Sequence, residues 1–214
     1  MPGRGDRRDG GRREGLDRGP GRPDVPRLFV AVPIPPDVGA QVGRVLAEAR
    51  AELGDEGRRI RWVQLEGLHV TLRFLGPTPA DRVPDVAAAL ERAVTGEAPF
   101  EVRLAGAGAF PAAARPRALW LGIRSGADAL GRLAEALDAE LRAAGWGVEA
   151  RPFRPHLTIA RTDGARAGSA AAMALEAAAS TLDAGFTATA VVLYRSHLGS
   201  GPARYEVLRE APLD

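Results

Sequence analysis

Two segments share one four-residue pattern: His69-Val70-Thr71-Leu72 and, 87 positions later, His156-Leu157-Thr158-Ile159. The chain has three histidines, and two of them stand in this pattern. Because side chains alternate faces along a strand, each segment, if extended, places its histidine and threonine on one face and its apolar residues on the other. Two such strands facing each other would bring two imidazoles and two hydroxyl groups together.

A pair of imidazoles indicates acid–base catalysis, because histidine exchanges protons near neutral pH and serves as either acid or base. The threonine hydroxyls can donate hydrogen bonds to phosphate oxygens, and Arg161 could stabilise charge on a transferring phosphoryl group. The alternative is that each histidine is an ordinary polar strand residue. We interpret the third, His197, in that way, as a loop or strand-end residue, because no threonine follows it two positions later.

Composition argues against several other kinds of site. The chain has no cysteine, which excludes disulfides and thiolate metal ligands, and His-x-Thr is not the spacing of a metal site. It has no lysine, which excludes the lysine-containing phosphate loop, and no Gly-x-Ser-x-Gly elbow of a serine hydrolase. We therefore expect neither a metal nor a cofactor.

The 214 residues, 45% of them hydrophobic, suffice for one domain or two small lobes. No segment approaches the roughly 18 consecutive apolar residues of a membrane span. The amino terminus has no apolar signal region. We expect a cytoplasmic monomer that does not associate with membranes.

Residues 1–26 have the composition of a disordered segment, rich in glycine, arginine, aspartate and proline. They hold seven arginines and five acids, which accounts for the whole net charge of +2. Residues 27–214 are neutral overall, so a nucleic-acid surface there would have to be a local patch. The extension is either a basic arm for RNA or a passive addition to the ordered domain of residues 27–214.

Periodicity predicts an alternation of strands and helices after residue 26. Asp37 is expected to cap the first helix, and Gly67 to adopt a positive φ before the first motif. We expect strands over 27–32, 60–63, 68–75, 100–104, 118–123, 148–150, 156–160, 186–194 and 203–209, and helices over 37–53, 78–94, 127–144 and 169–179.

The order of elements is similar before and after residue 110, which favours an α+β fold of two lobes related by internal duplication. Each lobe would consist of an antiparallel sheet with outer helices and would contribute one His-x-Thr motif. This prediction depends on the pattern of elements, because the two halves share little sequence outside the motifs.

Several segments together resemble the 2H phosphoesterases, and among them the RNA 2′,3′-cyclic phosphodiesterases, also called 2′-5′ RNA ligases. The most specific is Leu68-His69-Val70-Thr71-Leu72-Arg73-Phe74-Leu75-Gly76. The resemblance extends over nearly all of residues 27–209. The other matching segments are Arg27-Leu28-Phe29-Val30-Ala31-Val32, Ile60-Arg61-Trp62-Val63, Trp120-Leu121-Gly122, Phe153-Arg154-Pro155-His156-Leu157-Thr158-Ile159-Ala160-Arg161 and Leu193-Tyr194-Arg195-Ser196 with Tyr205.

The resemblance implies two pseudo-symmetric lobes around a central cleft and metal-independent hydrolysis of RNA 2′,3′-cyclic phosphate ends to 2′-phosphomonoesters, with reverse 2′-5′ ligation as a related reaction. It implies that His69 is the catalytic acid and His156 the base, although the nearly symmetric sequence does not assign them. The partner would be RNA with a cyclic phosphate terminus. The alternatives are another cyclic phosphate substrate or an RNA-end binding module without turnover. By position, the substrate-binding residues would be Thr71, Thr158 and Arg161 at the phosphate, and Phe74 at the base.

Overall fold

The computed structural model describes residues 25–163, 166–197 and 203–214, and these contain two antiparallel sheets and four α-helices. The predicted disordered segment therefore falls almost entirely outside the described residues. The strands are β1 (Arg27–Pro33), β2 (Arg61–Trp62), β3 (His69–Pro77), β4 (Phe100–Phe110), β5 (Ala118–Ser125), β6 (His156–Arg161), β7 (Ala184–Ala188), β8 (Ala190–His197) and β9 (Arg204–Pro212).

Three helices begin and end within three residues of the predicted positions, whereas the second begins at Val83 instead of Thr78, after a 3₁₀ turn at Ala80–Arg82. The first does not use Asp37 as its cap: it begins at Pro36, whose fixed φ suits the first helical position, and Asp37 lies in its first turn. Within the described residues, no helix is both long and apolar enough to cross a membrane. The four helices are α1 (Pro36–Leu53), α2 (Val83–Val94), α3 (Ala127–Ala143) and α4 (Arg166–Ala178).

The predicted α+β class is confirmed, and each sheet contains one motif strand. Sheet A has the order β3-β1-β8-β9, and sheet B has the order β2-β6-β5-β4-β7. Helices α2 and α3 pack against each other and contact sheet A, whereas α1 and α4 form the corresponding pair against sheet B. The apolar faces of the helices and sheets form one continuous buried core.

The two sheets do not correspond to the two halves of the chain. Strand β4 follows α2 but joins sheet B, and β8 follows the second motif but joins sheet A beside β1. Each sheet with its helix pair is thus assembled from both halves. The two halves exchange strands, because β4 of the first half pairs with β5 of the second and β8 of the second half pairs with β1 of the first.

Three strand predictions differ from the structure. The run 186–194 is two strands, because the chain passes from sheet B to sheet A at Thr189. The predicted strand 100–104 continues to Phe110 as a long partner for β5. The predicted strand at 148–150 is wrong: Val148 is 67% exposed, and Glu149 is paired with an arginine instead of lying in a sheet.

The prediction of a positive φ at Gly67 is also wrong, since Gly67 is not among the glycines with that conformation. It ends a 3₁₀ turn that spans Leu65–Gly67. A Cβ atom on Gly67 would lie 2.8 Å from Cδ2 of Tyr205. Glycine at this position leaves room for an aromatic ring, and the backbone conformation does not need it.

Candidate functional site

Each motif strand begins with its histidine, and the two motif strands are in contact with each other. The 3₁₀ turn at Leu65–Gly67 precedes His69, and Pro155 precedes His156. Prolines favour an extended entry to a strand, because they lack the amide hydrogen that a helix would use. Within each motif the burial pattern alternates as predicted, with half-buried histidine and threonine and fully buried apolar residues.

A bulge in β3 brings Phe74 onto the face of the first motif. Strict alternation would place a residue five positions after His69 on the opposite face. Leu72 is an extra residue in the pairing with β1, so Leu72 and Arg73 both point into the protein. Phe74 consequently shares a face with His69 and Thr71, and it is 58% exposed.

The same irregularity occurs at the same place in β6. Ile159 is the extra residue in the pairing with β5, and both Ile159 and Ala160 are buried. Arg161 therefore returns to the face that carries His156 and Thr158, where it is exposed. The two motif strands thus present equivalent positions, occupied by an aromatic ring in one and a guanidinium group in the other.

Both histidines make the same hydrogen bond to the backbone. Nδ1 of His69 lies 2.6 Å from the carbonyl oxygen of Gly67, and Nδ1 of His156 lies 2.6 Å from that of Arg154. A carbonyl oxygen only accepts, so each Nδ1 carries the hydrogen and donates it. Each neutral imidazole is held in one tautomer with an unprotonated Nε2, the atom available to accept a proton.

The surroundings lower the pKa of both imidazoles. Burial is the largest cause for His69 and for His156, and the positive charge of Arg161 acts in the same direction on both. The backbone hydrogen bonds oppose this effect by stabilising the charged ring. Arg161 is close enough to act on both histidines, so the fold brings these three predicted residues together.

Aromatic side chains surround His69. Its ring centroid lies 4.7 Å from that of Phe29 and 5.2 Å from that of Tyr205, which meets it edge-on. Tyr194 stacks on Phe29 with centroids 5.1 Å apart, and burial raises the pKa of both tyrosines. These rings exclude water from one side of the imidazole and hold it in place.

A second aromatic group lies beside His156. Phe110 meets its ring edge-on with centroids 5.0 Å apart, and Trp120 lies 6.3 Å away. Trp120 needs a glycine neighbour, because a Cβ on Gly108 would lie 2.3 Å from the indole Cζ2. Trp120 is paired in register with Thr158, so it lies on the face of the second motif.

The two motif threonines have no side-chain hydrogen-bond partner within residues 25–163, 166–197 and 203–214. Both are half-buried beside their histidines, which leaves their hydroxyl groups available to a ligand. His197 is the last residue of β8, as predicted, and its Nε2 lies 2.8 Å from Oε2 of Glu206. In the part of the chain that the structure describes, no three His, Asp or Glu side chains cluster as metal ligands do.

Sequence reasoning gave no role to Phe29, Tyr194 and Tyr205, which form the wall around His69. Phe29 and Tyr194 are paired across β1 and β8, whereas Tyr205 comes from β9. Alternation of side chains along a strand predicts the face on which each ring lies. It does not predict which distant strands become neighbours, so the contact between Tyr205 and His69 could not be predicted from the sequence.

The fold and the sequence match known proteins over most of the chain. Residues 34–200 match the family described as the 2′-5′ RNA ligase superfamily. A protein of Geobacillus stearothermophilus named RNA 2′,3′-cyclic phosphodiesterase is 32% identical over 86% of the chain, which spans only 56% of that relative's length. A protein of the same name from Aeropyrum pernix is 36% identical over 58% of the chain and 69% of its own length.

A comparison with solved structures also finds a similar protein. The crystal structure of Escherichia coli LigT complexed with 3′-AMP is similar with a TM-score of 0.67 and 27% sequence identity. The similarity covers 88% of this chain and 98% of that one. The similarity therefore extends over most of the described fold.

Proposed function

Because the chain belongs to the 2′-5′ RNA ligase superfamily, we propose that it is an RNA 2′,3′-cyclic phosphodiesterase that uses His69 and His156 as its acid–base pair. The observation that carries this proposal is the matched hydrogen bond of each Nδ1 to a backbone carbonyl. It leaves two Nε2 atoms for proton transfer, on two adjoining strands and beside one arginine.

The reaction needs two proton transfers around one phosphorus atom. One imidazole accepts a proton from water as the water oxygen forms its bond to phosphorus in line with O3′. The other imidazole, in its protonated form, donates a proton to O3′ as the P–O3′ bond breaks, which leaves a 2′-phosphomonoester. With a ribose 5′-hydroxyl in place of water, the same steps give a 2′-5′ linkage. The two imidazoles supply both transfers.

The remaining residues would bind the substrate in a cleft between the sheets. Thr71 and Thr158 donate their free hydroxyl hydrogens to the non-bridging phosphate oxygens, and Arg161 stabilises the charge that develops there. Phe74, exposed on the face of the first motif, packs against the terminal base. Residues 27–214 form the catalytic unit in this proposal.

Substrate binding adjusts the protonation of the pair. Burial and Arg161 lower the pKa of both imidazoles, so both are neutral in the free protein at pH 7. A bound phosphodiester anion offsets the charge of Arg161 and stabilises an imidazolium. The complex therefore acquires the one protonated histidine that the reaction requires.

The test is product analysis on a short oligoribonucleotide that ends in a 2′,3′-cyclic phosphate, after exhaustive treatment with EDTA. We expect hydrolysis at the untreated rate and a product that carries only a 2′-phosphate. Formation of a 3′-phosphate would contradict the proposed direction of ring opening. Binding without turnover would identify an RNA-end binding module, and turnover of another cyclic phosphate alone would reject RNA as the substrate.

Removal of either imidazole tests the acid–base pair. His69→Ala and His156→Ala should each lower kcat by about 10²- to 10⁴-fold, the usual contribution of a positioned acid or base. His197→Ala is the matched control and should keep normal turnover, since this side chain is 45% exposed and paired with Glu206. Near-normal activity in either motif variant would contradict the assignment.

A further inference from the structure

Two arginines stand directly opposite each other beside the site. Strand β2 pairs with β6 so that Arg61 lies in register with Arg161. Directly opposed residues in antiparallel strands have their Cβ atoms about 4.5–5.5 Å apart and share one face of the sheet. Arg61 therefore extends the face that carries His156, Thr158 and Arg161.

The neighbouring residue confirms this orientation. Trp62 alternates with Arg61 and packs on the other side of the strand, where it contacts the apolar core. Its Nε1 donates a hydrogen bond to the carbonyl oxygen of Gly57, and Arg50 lies over its ring. Arg61 is exposed on the opposite side.

Like charges directly opposite each other destabilise a sheet, unless a group of opposite charge, such as a carboxylate or a bound anion, lies between them. Among the residues that the structure describes, no carboxylate forms an ion pair with Arg61 or Arg161. Other arginines near strand ends do have such partners; Arg103 and Arg124 share Asp183. The Arg61–Arg161 pair is thus left for an anion from outside the chain.

The opposite sheet carries different chemistry. A row of residues in register crosses the site face of sheet A, and it consists of Phe74, Phe29, Tyr194 and Val207. Proteins that bind single-stranded nucleic acid combine aromatic surfaces for bases with arginines for the backbone. Here the aromatic surface belongs to sheet A and the arginines belong to sheet B.

We propose that Arg61, which lies beside the Arg161 that contacts the cyclic phosphate, is a specificity residue that binds the phosphodiester on the 5′ side of the terminal nucleotide. The inference depends on the proposed function, since it extends the same site by one subsite. A mononucleotide has no phosphate at that place. The substrate class is therefore an RNA strand in preference to a 2′,3′-cyclic mononucleotide.

The experiment compares two ligands that differ by this phosphate, a dinucleotide and a mononucleotide that each end in a 2′-phosphate. We expect Arg61→Gln to weaken dinucleotide binding by about tenfold, the usual effect of one charge-assisted hydrogen bond, and to leave the Kd of the mononucleotide unchanged. Arg61→Lys should restore part of the loss. Arg58→Gln, which removes the same charge from an 84% exposed side chain three residues away, is the control.

Turnover of the matching cyclic-ended substrates should follow the same pattern, with kcat unchanged and KM raised for the dinucleotide alone. Equal losses on both ligands, or a loss with Arg58→Gln as large as with Arg61→Gln, would overturn the subsite. If the wild-type protein turns over neither substrate, the proposed function is wrong. The Kd values for the dinucleotide and the mononucleotide then still decide whether Arg61 recognises a second phosphate.

Discussion

At the scale of single residues, the backbone hydrogen bonds of the two histidines determine which ring nitrogen is left free to accept a proton. Both Nδ1 atoms donate a hydrogen bond to the carbonyl oxygen of the residue two positions earlier, so the local geometry is the same in both motifs. Sequence alone predicted the pairing of the imidazoles, because scarcity and repetition are visible in it. It did not predict the tautomer, which depends on the turns that precede the strands.

The lowered histidine pKa values predict the pH dependence of activity. In the free protein both groups lose their protons below the usual value of 6.5, so the alkaline limb of kcat/KM should lie below pH 6.5. The alkaline limb of kcat should lie at higher pH, because the bound phosphate raises the pKa of the acid. Steady-state rates from pH 4 to 9 measure both profiles. A kcat/KM that stays constant up to pH 8 would contradict this account.

At the scale of elements, the two bulges determine what the motif strands present. Strict alternation from His69 correctly places Thr71 on the same face as His69, but it places Phe74 on the opposite face. Strict alternation from His156 makes the same error for Arg161. Resemblance and chemistry, and not strand periodicity, singled out these two residues. A bulge depends on the partner strand, and the partner is not visible in a local pattern.

The turn before β3 provides a test of how elements position the first histidine. Gly67→Ala would place a Cβ 2.8 Å from Cδ2 of Tyr205, so that ring must shift from its present edge-on contact with His69. We expect kcat/KM to fall by about 10- to 100-fold, the cost of a small misplacement at a reacting group, with little loss of stability. Initial rates and thermal unfolding measure the two effects.

The matched control for that change is Gly131→Ala in α3, where a Cβ would meet no heavy atom within 4 Å. It should keep full activity and stabilise the protein by up to about 1 kcal/mol, because alanine favours a helix more than glycine does. An active Gly67→Ala protein would show that the Tyr205 ring does not help to position His69.

At the scale of the whole molecule, Arg73 connects parts that are distant in sequence. It is 8% exposed, with Nη1 lying 3.3 Å from Oδ1 of Asp138 on α3 and 3.4 Å from Oε2 of Glu149. Its Nη2 donates to the carbonyl oxygen of Gly147. The bulge that exposes Phe74 also buries Arg73, so site geometry and stability are linked in one strand.

Removal of this arginine should be costly. Arg73→Ala removes a buried cation that contacts two carboxylates and leaves Asp138 with Arg142 alone, so we expect the free energy of unfolding to fall by about 3 kcal/mol. Arg58→Ala, whose ion pair with Asp55 is exposed to solvent, should change it by less than about 1 kcal/mol. Urea denaturation compares the two variants. An equal loss of unfolding free energy in the two variants would mean that the contacts of Arg73 with Asp138, Glu149 and Gly147 do not stabilise the fold.

The exchange of strands between the two halves was not predictable, because periodicity identifies strands without assigning them to a sheet. It has a consequence for synthesis on the ribosome. Strand β1 leaves the ribosome long before its neighbour β8, which spans Ala190–His197. One edge of β1 therefore keeps its backbone groups unpaired until β8 has been synthesised. Sheet A closes only after β8 is available, so a chain that stops before Ala190 lacks the strand whose Tyr194 ring lies beside His69.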